Sequence, residues 1–425
     1  MDADGNECRA ASTATPFDDG EMSGDRLLAA VAGAIAELGS ARAHIAAVAV
    51  AGIAESGAPA AGAGRPLAPI IAWHDPRGGE IVDRLQQQFG PELEKSIGQR
   101  LRVVSSVAKL GWLVDQGLGP VARWLGVPEL VLYDLTGRQV TEFSLAARTG
   151  AYHVGEHRYL PEVAAAIGVS SDVFAEVAAA GAVMGRVSEA AASRWGLPTG
   201  IPVTIAGHDH LVARAGAGAR TCDLVNSVGT AESVVAAAGT LPDIGAALAR
   251  RVAVSVLPGG DGWALLASAA RAGLVLTAVA AALGRSVEEL DAMALGAGSA
   301  TIDDSIIKAA LSDSPLDLPA APAAEIWNAV LGCLAARTWD ACDRLVAVAP
   351  VAGGAGGHRL VVCGGGSRSR PWLHAKAAAR RATEVWRSDA AEAVVRGAAL
   401  YAGVAAGWWA TVGSGPQPGL ERVVI

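Results

Sequence analysis

The sequence predicts an α/β fold divided into two lobes. Apolar, β-branched runs that suit buried strands alternate with segments whose apolar residues recur at helical spacing, as in Leu360–Cys363 and Ala324–Val348. Alternating strands and helices are typical of layered α/β proteins. A chain of 425 residues exceeds the usual size of one domain. We place a boundary near Ala215–Thr221, so that the predicted lobes are residues 1–216 and 217–425.

Local patterns predict the elements of the first lobe. Apolar runs predict buried strands over His44–Ile53 and Val203–Ala206. Helical spacing predicts helices over Gly79–Phe89 and Ser106–Gln116, and Leu211–Gly218 is predicted as a short helix or turn.

The second lobe repeats this alternation. We predict a hairpin from the strands Leu224–Val228 and Ser233–Ala238, and two further strands, Leu360–Cys363 and Glu384–Trp386. The predicted helices are Ala269–Leu283, Ala324–Val348, a segment from about Ser369 to Arg381, and a last segment through Ala406. Asp389 and Glu392 fit a capping-box-like start for the last helix, because their side chains can accept from free N–H groups there.

Composition argues against nucleic-acid and membrane partners. Hydrophobic residues make up 52% of the chain and charged residues 18%, and the formal net charge is -8 without a basic block. Five cysteines without a CxxC pair indicate a reduced compartment. The start of the chain has no long apolar stretch, so we expect no signal peptide and a cytoplasmic location. The longest apolar runs, Ala272–Gly284 and Gly397–Gly413, are short for membrane spans and are interpreted as core helices.

The main candidate for chemistry is Asp209 in Ile205-Ala-Gly-His-Asp-His210, at the end of a predicted strand. Strand ends at a cleft are usual ligand positions in α/β proteins, and a carboxylate there could take a proton from a hydroxyl. The alternative is that Asp209 caps the helical segment that begins at Leu211. The Gly-Thr turn that follows in the chain favours the catalytic interpretation.

The histidines on either side of Asp209 have two interpretations. His208 and His210 would share one face of a strand, opposite the aspartate. Imidazole is a common metal ligand, but no further ligand follows at a recognisable spacing and HExxH is absent. We therefore predict no metal site and assign both histidines to a substrate cleft.

Two glycine-containing turns could receive phosphate. Gly229-Thr230 lies between two predicted strands, where the N–H groups of a turn form an anion-binding concavity; the alternative is a plain hairpin turn. Gly364-Gly-Gly-Ser367 leads from a strand towards a helix, whose N-terminus would favour phosphate. It matches neither GxGxxG nor GxxxxGK[ST], so a structural turn is an equal alternative.

Polar side chains after the first predicted strand suit a polyhydroxylated ligand. Glu55, Asp75 and Arg77 offer two acceptors and a forked donor, and Trp73 could pack against the face of a sugar. The alternative is a surface turn held by an Asp-Arg ion pair.

Taken in order, these segments resemble the FGGY family of carbohydrate kinases. The similar segments are the W-x-D-x-R sugar-contact segment (Trp73-His-Asp-Pro-Arg77), a T-D-x-S stretch with Glu in place of Asp (Thr141-Glu-Phe-Ser144), the G-x-D catalytic base (Asp209), the second phosphate segment (Ser227-Val-Gly-Thr-Ala231) and the adenosine segment (Cys363-Gly-Gly-Gly-Ser-Arg-Ser369). Each match alone is weak, whereas the ordered set spans most of the chain.

The resemblance implies two RNase-H-like lobes, of the actin and hexokinase type, around a central cleft. It implies a kinase that uses ATP and Mg²⁺ and phosphorylates a sugar or polyol, with Asp209 as the base. The expected substrate contacts are Glu55, Trp73, Asp75, Arg77, His208 and His210, and the expected ATP contacts are Gly229, Thr230, Gly364, Gly365, Gly366 and Ser367. A homodimer is compatible with the sequence.

One departure concerns the start of the family pattern. The family opens with a hairpin that carries D-x-G-T-x-x-x-K, whereas Met1-Asp-Ala-Asp-Gly5 resembles the turn that follows this motif. We therefore expect the leading strand and the first phosphate loop to be absent, which would deprive the adjacent strand of ladder hydrogen bonds. The alternatives are a kinase whose true start lies upstream and a non-catalytic sugar- or nucleotide-binding relative.

Overall fold

The computed structural model describes residues 1–62, 64–312, 314–349 and 358–424. The strands are β1 (Glu21–Met22), β2 (Val48–Gly52), β3 (Gly57–Ala60), β4 (Ile70–Ile71), β5 (Arg123–Gly126), β6 (Val140–Glu142), β7 (Tyr152–His153), β8 (Arg158–Tyr159), β9 (Glu176–Ala178), β10 (Gly185–Arg186), β11 (Pro202–His208), β12 (Leu224–Val228), β13 (Glu232–Ala238), β14 (Ala253–Val256), β15 (Trp263–Ala270), β16 (Leu360–Cys363), β17 (Val385–Ser388) and β18 (Leu420–Arg422).

Helices cover the sheets and connect their strands. The α-helices are α1 (Gly24–Ala36), α2 (Gly79–Ile97), α3 (Ser106–Asp115), α4 (Val127–Thr136), α5 (Phe143–Ala146), α6 (Pro161–Ala166), α7 (Glu189–Trp195), α8 (Asp209–Gly216), α9 (Ile244–Ala249), α10 (Ala272–Ala282), α11 (Val287–Ala294), α12 (Asp304–Ala309), α13 (Ala323–Val348), α14 (Arg370–Ala379) and α15 (Ala393–Ala405). Short 3₁₀ helices lie at Gly39–His44, Ser171–Val173, Gly365–Arg368 and Val412–Ser414. No helix within the described ranges is long and apolar enough to cross a bilayer.

The second half of the chain forms a seven-stranded sheet in the order β14-β15-β13-β12-β16-β17-β18. The β12–β16 and β16–β17 pairs are parallel. β12 and β13 form the predicted antiparallel hairpin around Gly229-Thr230. Because Ser227 pairs with Cys363 at the ends of β12 and β16, this turn lies beside the glycine loop that follows β16.

The first half places β11 between β10 and β2, with β11 and β2 parallel. Within the described ranges β11 is the strand partner of β2 in this sheet, and β2 lies at its edge. A separate antiparallel sheet has the order β1-β4-β3-β5, and its strand β4 ends just before the Trp73–Arg77 segment. Since Gly52 and His208 are in register at the ends of β2 and β11, the residues after both strands open onto the same edge.

The last helix links the two halves. α15 packs against α8 and against β11 and β2 of the first sheet. Ala206, Val212 and Ala398 form one buried cluster there. The predicted division at residue 216 therefore separates the strands of the two sheets, whereas α15 returns to the first sheet.

Several element predictions differ from the structure. The helix predicted from Ala269 begins at Ala272, because the preceding residues belong to β15. Glu392 occupies the N-cap of α15 without a side-chain hydrogen bond, so the predicted capping box with Asp389 does not form. The apolar run Gly397–Gly413 is helical only as far as Ala405. The strands β14, β15 and β18 were not predicted, since β15 is rich in Ala, which is depleted in strands, and β14 and β18 have only four and three residues.

Candidate active site

One cleft of about 1790 Å³ receives residues from both halves of the chain. The sequence-predicted residues that line it are Glu55, Trp73, His208, Asp209, His210, Gly229, Thr230, Gly364 and Gly365. Asp75, Arg77, Gly366 and Ser367 do not line it. The structure therefore gathers most of the predicted site into one space.

Asp209 is the first residue of α8, directly after β11. The N-cap position belongs to His208, so the alternative of Asp209 as the capping residue is not what the structure shows. Its Oδ1 accepts a hydrogen bond from the His210 N–H at 2.6 Å and lies 3.2 Å from His208 Nε2. The side chain is 36% exposed. Within the described part of the chain Oδ2 has no hydrogen-bond donor, so one oxygen is anchored and the other is open to a ligand.

A bulge in β11 directs the end of this strand. Its register against β2 shifts between Ile205 and Gly207, and Gly207 has a φ of 119°. This backbone conformation is accessible to glycine at little cost. A Cβ on Gly207 would lie 2.5 Å from Ser144 Oγ and 2.7 Å from Glu142 Oε2. The glycine therefore permits the bulge and leaves room for two polar side chains behind Asp209.

The two histidines differ in their surroundings. His208 is buried, and burial lowers its pKa to about 3, so the ring is neutral at physiological pH. A neutral ring can donate from Nε2 to Asp209, while Nδ1 has no partner in the described ranges. His210 Nδ1 lies 3.2 Å from Ser227 Oγ on β12. His210 therefore connects the base to the sheet of the second half.

Glu55 forms an ion pair that the sequence did not predict. Arg148 contacts Glu55 Oε1 through its Nε at 2.8 Å and through a terminal nitrogen at 2.6 Å. The side chain of Glu55 is 10% exposed and that of Arg148 is 12% exposed. Both residues line the cleft, so they offer a substrate a carboxylate oxygen and guanidinium donors held in fixed positions.

Only part of the Trp73–Arg77 segment faces the cleft, and the rest contacts other residues of the protein. Trp73 is 37% exposed and faces the cleft, as a surface for a sugar ring would. Asp75 and Arg77 instead form a two-point ion pair, with Arg77 Nη2 2.7 Å from Asp75 Oδ2 and Arg77 Nε 2.8 Å from Asp75 Oδ1, and Arg77 also contacts Glu21. These hydrogen bonds to Arg77 lower the pKa of Asp75. Asp75 and Arg77 therefore make contacts within the protein, and their role as substrate contacts stays a prediction.

A buried lysine holds this ion-paired turn in place. Lys109 Nζ donates to the carbonyl oxygens of Asp75 and Arg77. Burial lowers the pKa of Lys109 to about 8. Its two carbonyl partners satisfy a polar head group that is otherwise enclosed, which explains why the turn faces inward.

The Gly229-Thr230 turn is exposed at the cleft. The Gly229 N–H donates to the Ala231 carbonyl oxygen at 3.0 Å. It was expected to be free for phosphate, and in the structure it is not. The N–H groups of Thr230 and Ala231 have no backbone acceptor in the described ranges. The start of α10 lies against this turn, since a Cβ on Gly273 would be 2.7 Å from the Gly229 carbonyl oxygen. Free N–H groups of a turn and of a helix N-terminus therefore meet here.

The glycine loop after β16 turns sharply at Gly364. Its φ is 87°, and a Cβ would lie 2.6 Å from the Val228 carbonyl oxygen. Ser367 is buried, and its hydroxyl donates to the Gly364 carbonyl at 2.7 Å. Gly366 packs against Val228 and Trp372. Gly364 and Gly365 thus face the cleft, whereas Gly366 and Ser367 shape the turn from behind.

The charge of the cleft is opposite to that of the whole chain. Its lining contains eight arginines and five carboxylates, although the formal net charge of the protein is -8. Arg100, Arg102, Arg148, Arg250, Arg251, Arg271, Arg337 and Arg344 are the cations. A cleft with this excess of positive charge suits an anionic ligand such as a nucleotide.

Sequence reasoning missed the arginines because the fold alone brings them together. Arg148 lies 93 residues after its partner Glu55. Arg102 lines the cleft although no motif surrounds it. Only the proximity of Arg148 to the Thr141–Ser144 segment offered a signal in the sequence.

Comparison with known proteins finds a family match in the first half of the chain. The FGGY family of carbohydrate kinases, N-terminal domain, matches residues 12–216. L-fuculokinase of Escherichia coli strain K12 is 32% identical over 200 residues, which cover 44% of this chain and 41% of that protein. The matched part thus spans about two fifths of the length of that relative.

Solved structures agree along the whole chain. A ligand-bound xylulose kinase from Lactobacillus acidophilus aligns with 100% of this chain and 90% of its own, at a TM-score of 0.83 and 15% identity. Gluconate kinase from the same organism aligns with 99% of this chain and 89% of its own, at a TM-score of 0.82 and 14% identity. These likenesses confirm the predicted α/β fold with two RNase-H-like lobes. Residues 12–216 are thus similar to the N-terminal domain of the FGGY family of carbohydrate kinases, and the solved structures show the fold of the whole chain.

Proposed function

We propose that this protein is an ATP-dependent carbohydrate kinase that transfers the γ-phosphoryl group to a hydroxyl of a sugar or polyol. The observation that carries the proposal is the meeting of Asp209 and the Gly229-Thr230 turn, from different sheets, in one positively charged cleft. Phosphoryl transfer depends mainly on positioning and on charge stabilisation, and the cleft offers both.

The acceptor side would be built by the first lobe. Asp209 Oδ1 is anchored by His208 and His210, which leaves Oδ2 to accept the proton of the attacking hydroxyl. Such a base contributes roughly 10²–10⁴ in rate. Glu55 and Arg148 would bind sugar hydroxyls, and Trp73 would pack against the ring. Neutral His208 would keep the base in place without adding a charge.

The nucleotide side would be built by the second lobe. The free N–H groups of Thr230 and Ala231, the start of α10 and Arg271 would receive the phosphates. Gly364 and Gly365 would let the adenosine approach the backbone closely.

Magnesium would enter with ATP and neutralise its phosphate charge. Among the described residues no group of three His, Cys, Asp or Glu side chains is arranged to hold a metal ion. Mg²⁺ is commonly held by substrate phosphates with only one or two carboxylates. In this proposal the phosphates are therefore its main ligands.

The test is an assay of ADP release over a panel of acceptors. Names of relatives suggest L-fuculose, rhamnulose, xylulose, gluconate and glycerol as the panel. We expect one or more acceptors to stimulate ADP release. Asp209→Asn should abolish this stimulation and leave nucleotide binding intact, because only the proton acceptor is removed. Asp115→Asn, at an exposed helix end away from the cleft, is the matched control and should retain activity.

Two results would contradict the proposal. Full turnover by Asp209→Asn would exclude Asp209 as the base. Binding of nucleotide and sugar by the wild-type protein, without ADP release for any acceptor, would identify a non-catalytic binding relative instead.

A further inference from the structure

Glu142 is a buried carboxylate that the proposed mechanism does not use. It is 0% exposed, at the end of β6. Its Oε2 accepts from the Ser144 N–H at 2.8 Å and from the Ser144 hydroxyl at 2.5 Å. Its Oε1 accepts from the Gly259 N–H at 2.9 Å. Within the described ranges these donors, and no cation, satisfy the carboxylate.

The Ser144 hydroxyl continues this chain of hydrogen bonds towards the base. Its Oγ accepts from the His208 N–H at 2.9 Å, and His208 directly precedes Asp209. The space for this contact exists because residue 207 has no side chain: a Cβ there would lie 2.5 Å from Ser144 Oγ. The carboxylate, the hydroxyl and the strand end therefore form one connected unit.

Gly259 lies in the other lobe, at the tip of the hairpin between β14 and β15. Other contacts dock the hairpin tip, taken here as residues 254–263 with the adjoining strand ends, on the first lobe. The Val254 N–H donates to the Gly98 carbonyl at 2.7 Å, and Trp263 Nε1 donates to the Val154 carbonyl at 3.3 Å. Gly260 packs against Phe143, the residue between Glu142 and Ser144. The hairpin tip thus reaches the segment that supports the base.

We propose that Glu142 and Ser144 are positioning residues that couple the docking of the β14–β15 hairpin tip to the placement of Asp209. The proposal rests on the proposed function, because it assigns these residues to the support of the base. When the tip is docked, Gly259 completes the donors around Glu142, and Ser144 holds the His208 backbone. When the tip leaves, the buried carboxylate loses a donor and Ser144 loses its fixed partner.

Two opposing effects set the pKa of Glu142, so its protonation responds to the loss of a hydrogen-bond donor. Burial favours the neutral acid and the hydrogen bonds favour the carboxylate, so its pKa is raised to about 7. Tyr152 and Tyr401 are titratable side chains near it, and their own pKa values are raised by burial and, to a smaller extent, by the charge of Glu142. A lost donor therefore shifts the group towards its protonated form near neutral pH.

Glu142→Gln tests the coupling with little change in volume. Its amide oxygen can still accept from the Gly259 N–H, but its NH₂ group then faces Ser144. The Ser144 N–H loses its acceptor and the Ser144 hydroxyl can no longer donate to residue 142, so the two bonds by which Ser144 donates to Glu142 are lost. Glu129→Gln is the matched control, because Glu129 is also buried and accepts from Thr141 Oγ1 at 2.5 Å but makes no contact with the hairpin tip. Ser144→Ala removes the hydroxyl that bonds to Glu142 and to the His208 N–H and keeps the backbone N–H of residue 144, and it is the variant to use where Glu142→Gln does not fold.

The readouts are kinetics and amide hydrogen exchange of the wild-type protein and these variants. We expect kcat to fall about 10- to 100-fold in Glu142→Gln with KM for ATP little changed, since a base displaced by a fraction of an ångström loses rate rather than nucleotide affinity. The wild-type dependence of kcat on a group titrating near pH 7 should disappear in this variant. Exchange should become faster both in the hairpin tip, residues 254–263, and in residues 205–210, and Glu129→Gln should change neither.

Hydrogen exchange separates this proposal from the kinase proposal. A wild-type protein without kinase activity would refute the proposed function, yet coupled exchange at both segments would still support the link. Faster exchange confined to residues 140–147, with the tip and residues 205–210 unchanged, would overturn the coupling. Unchanged kcat and pH profile in an active Glu142→Gln enzyme would overturn it as well.

Discussion

The site residues of the first lobe are mainly side chains, whereas the turns of the second lobe present mainly backbone. Asp209, Glu55 and Arg148 project into the cleft from the first lobe, and Gly229-Thr230 and Gly364-Gly365 border it in the second. A buried glutamate supports each side: Glu142 behind Asp209, and Glu232 at the start of the strand that follows Thr230. Their partners differ: those of Glu232 lie in its own lobe, whereas Glu142 has one donor in the opposite lobe. We therefore expect only the support by Glu142 to depend on contact between the lobes.

Glu232 is paired with a cation. Lys376 Nζ lies 2.6 Å from Glu232 Oε1, and Thr338 Oγ1 donates to the same oxygen at 2.7 Å. Lys376 also lies 4.6 Å from the ring centroid of Trp372. Within the described ranges the partners of Glu232 come from its own lobe. Glu142, in contrast, depends on a donor from the opposite lobe.

The first prediction breaks the support of the second lobe. Lys376→Met leaves Glu232 buried without its cation and should lower the free energy of unfolding by about 3–5 kcal/mol. The loss should also raise KM for ATP, because the adjacent turn would lose its anchor. Urea denaturation and steady-state kinetics measure the two effects.

Lys308→Met provides the matched control. Lys308 is 77% exposed and its ion pair with Asp304 spans 3.8 Å, so its loss should change stability by less than about 0.5 kcal/mol. Equal stability of the Lys376→Met and Lys308→Met proteins would show that the buried pair is not a support.

The second prediction concerns the pH dependence of Glu142. Its pKa is about 7 in the folded protein, above the ordinary value of 4.5 for a glutamate side chain, so the folded state binds the proton more tightly than the unfolded chain does. The stabilising contribution is complete below about pH 4.5 and is lost as pH rises through about 7, by up to about 3 kcal/mol. Glu142→Gln should remove this decline, as followed by urea denaturation at a series of pH values.

An exposed glutamate serves as the comparison for this experiment. Glu162→Gln, on the surface of α6, should leave the pH dependence of the wild-type protein unchanged. If Glu142→Gln also retains the full decline between pH 4.5 and 7, another group is responsible for it.

The sequence predicted the parts of the site that depend on local pattern. Asp209 was placed at a strand end because an apolar run leads directly into it, and the β12–β13 hairpin followed from two apolar runs around Gly229-Thr230. Leu360–Cys363 was predicted with its observed bounds. In these segments local periodicity and tertiary structure favour the same conformation.

Long-range pairing explains the parts that were missed. Asp75 and Arg77 were expected in the cleft, but Lys109, which binds their carbonyl oxygens, lies more than 30 residues away in sequence. The contact between Glu142 and Gly259 spans 117 residues and involves a backbone N–H. Local pattern contains no information about either partner, since both contacts arise only when separate elements pack together.

The third prediction tests whether the first lobe recognises the acceptor. Arg148→Lys keeps the charge beside Glu55 but loses the guanidinium geometry that contacts Oε1 through two nitrogens. We expect KM for the sugar to rise about tenfold, corresponding to roughly 1.4 kcal/mol, with nucleotide affinity unchanged. Arg158→Lys, in an exposed pair with Glu156, is the control. A parallel rise in KM for ATP would contradict the proposal that the first lobe binds the acceptor and the second lobe binds the nucleotide.

The smallest expected effect is that of a side-chain change in the second lobe, because we expect this lobe to bind phosphate mainly through backbone N–H groups. Thr230→Val removes one hydroxyl from the phosphate turn but retains its N–H groups, so KM for ATP should rise only about fivefold, for a loss of about 1 kcal/mol. Thr277→Val is the matched control: this threonine lies on α10, where its hydroxyl bonds to the Gly273 carbonyl. A rise of a hundredfold or more for Thr230→Val would mean that a side chain, rather than backbone, holds the phosphate in the second lobe.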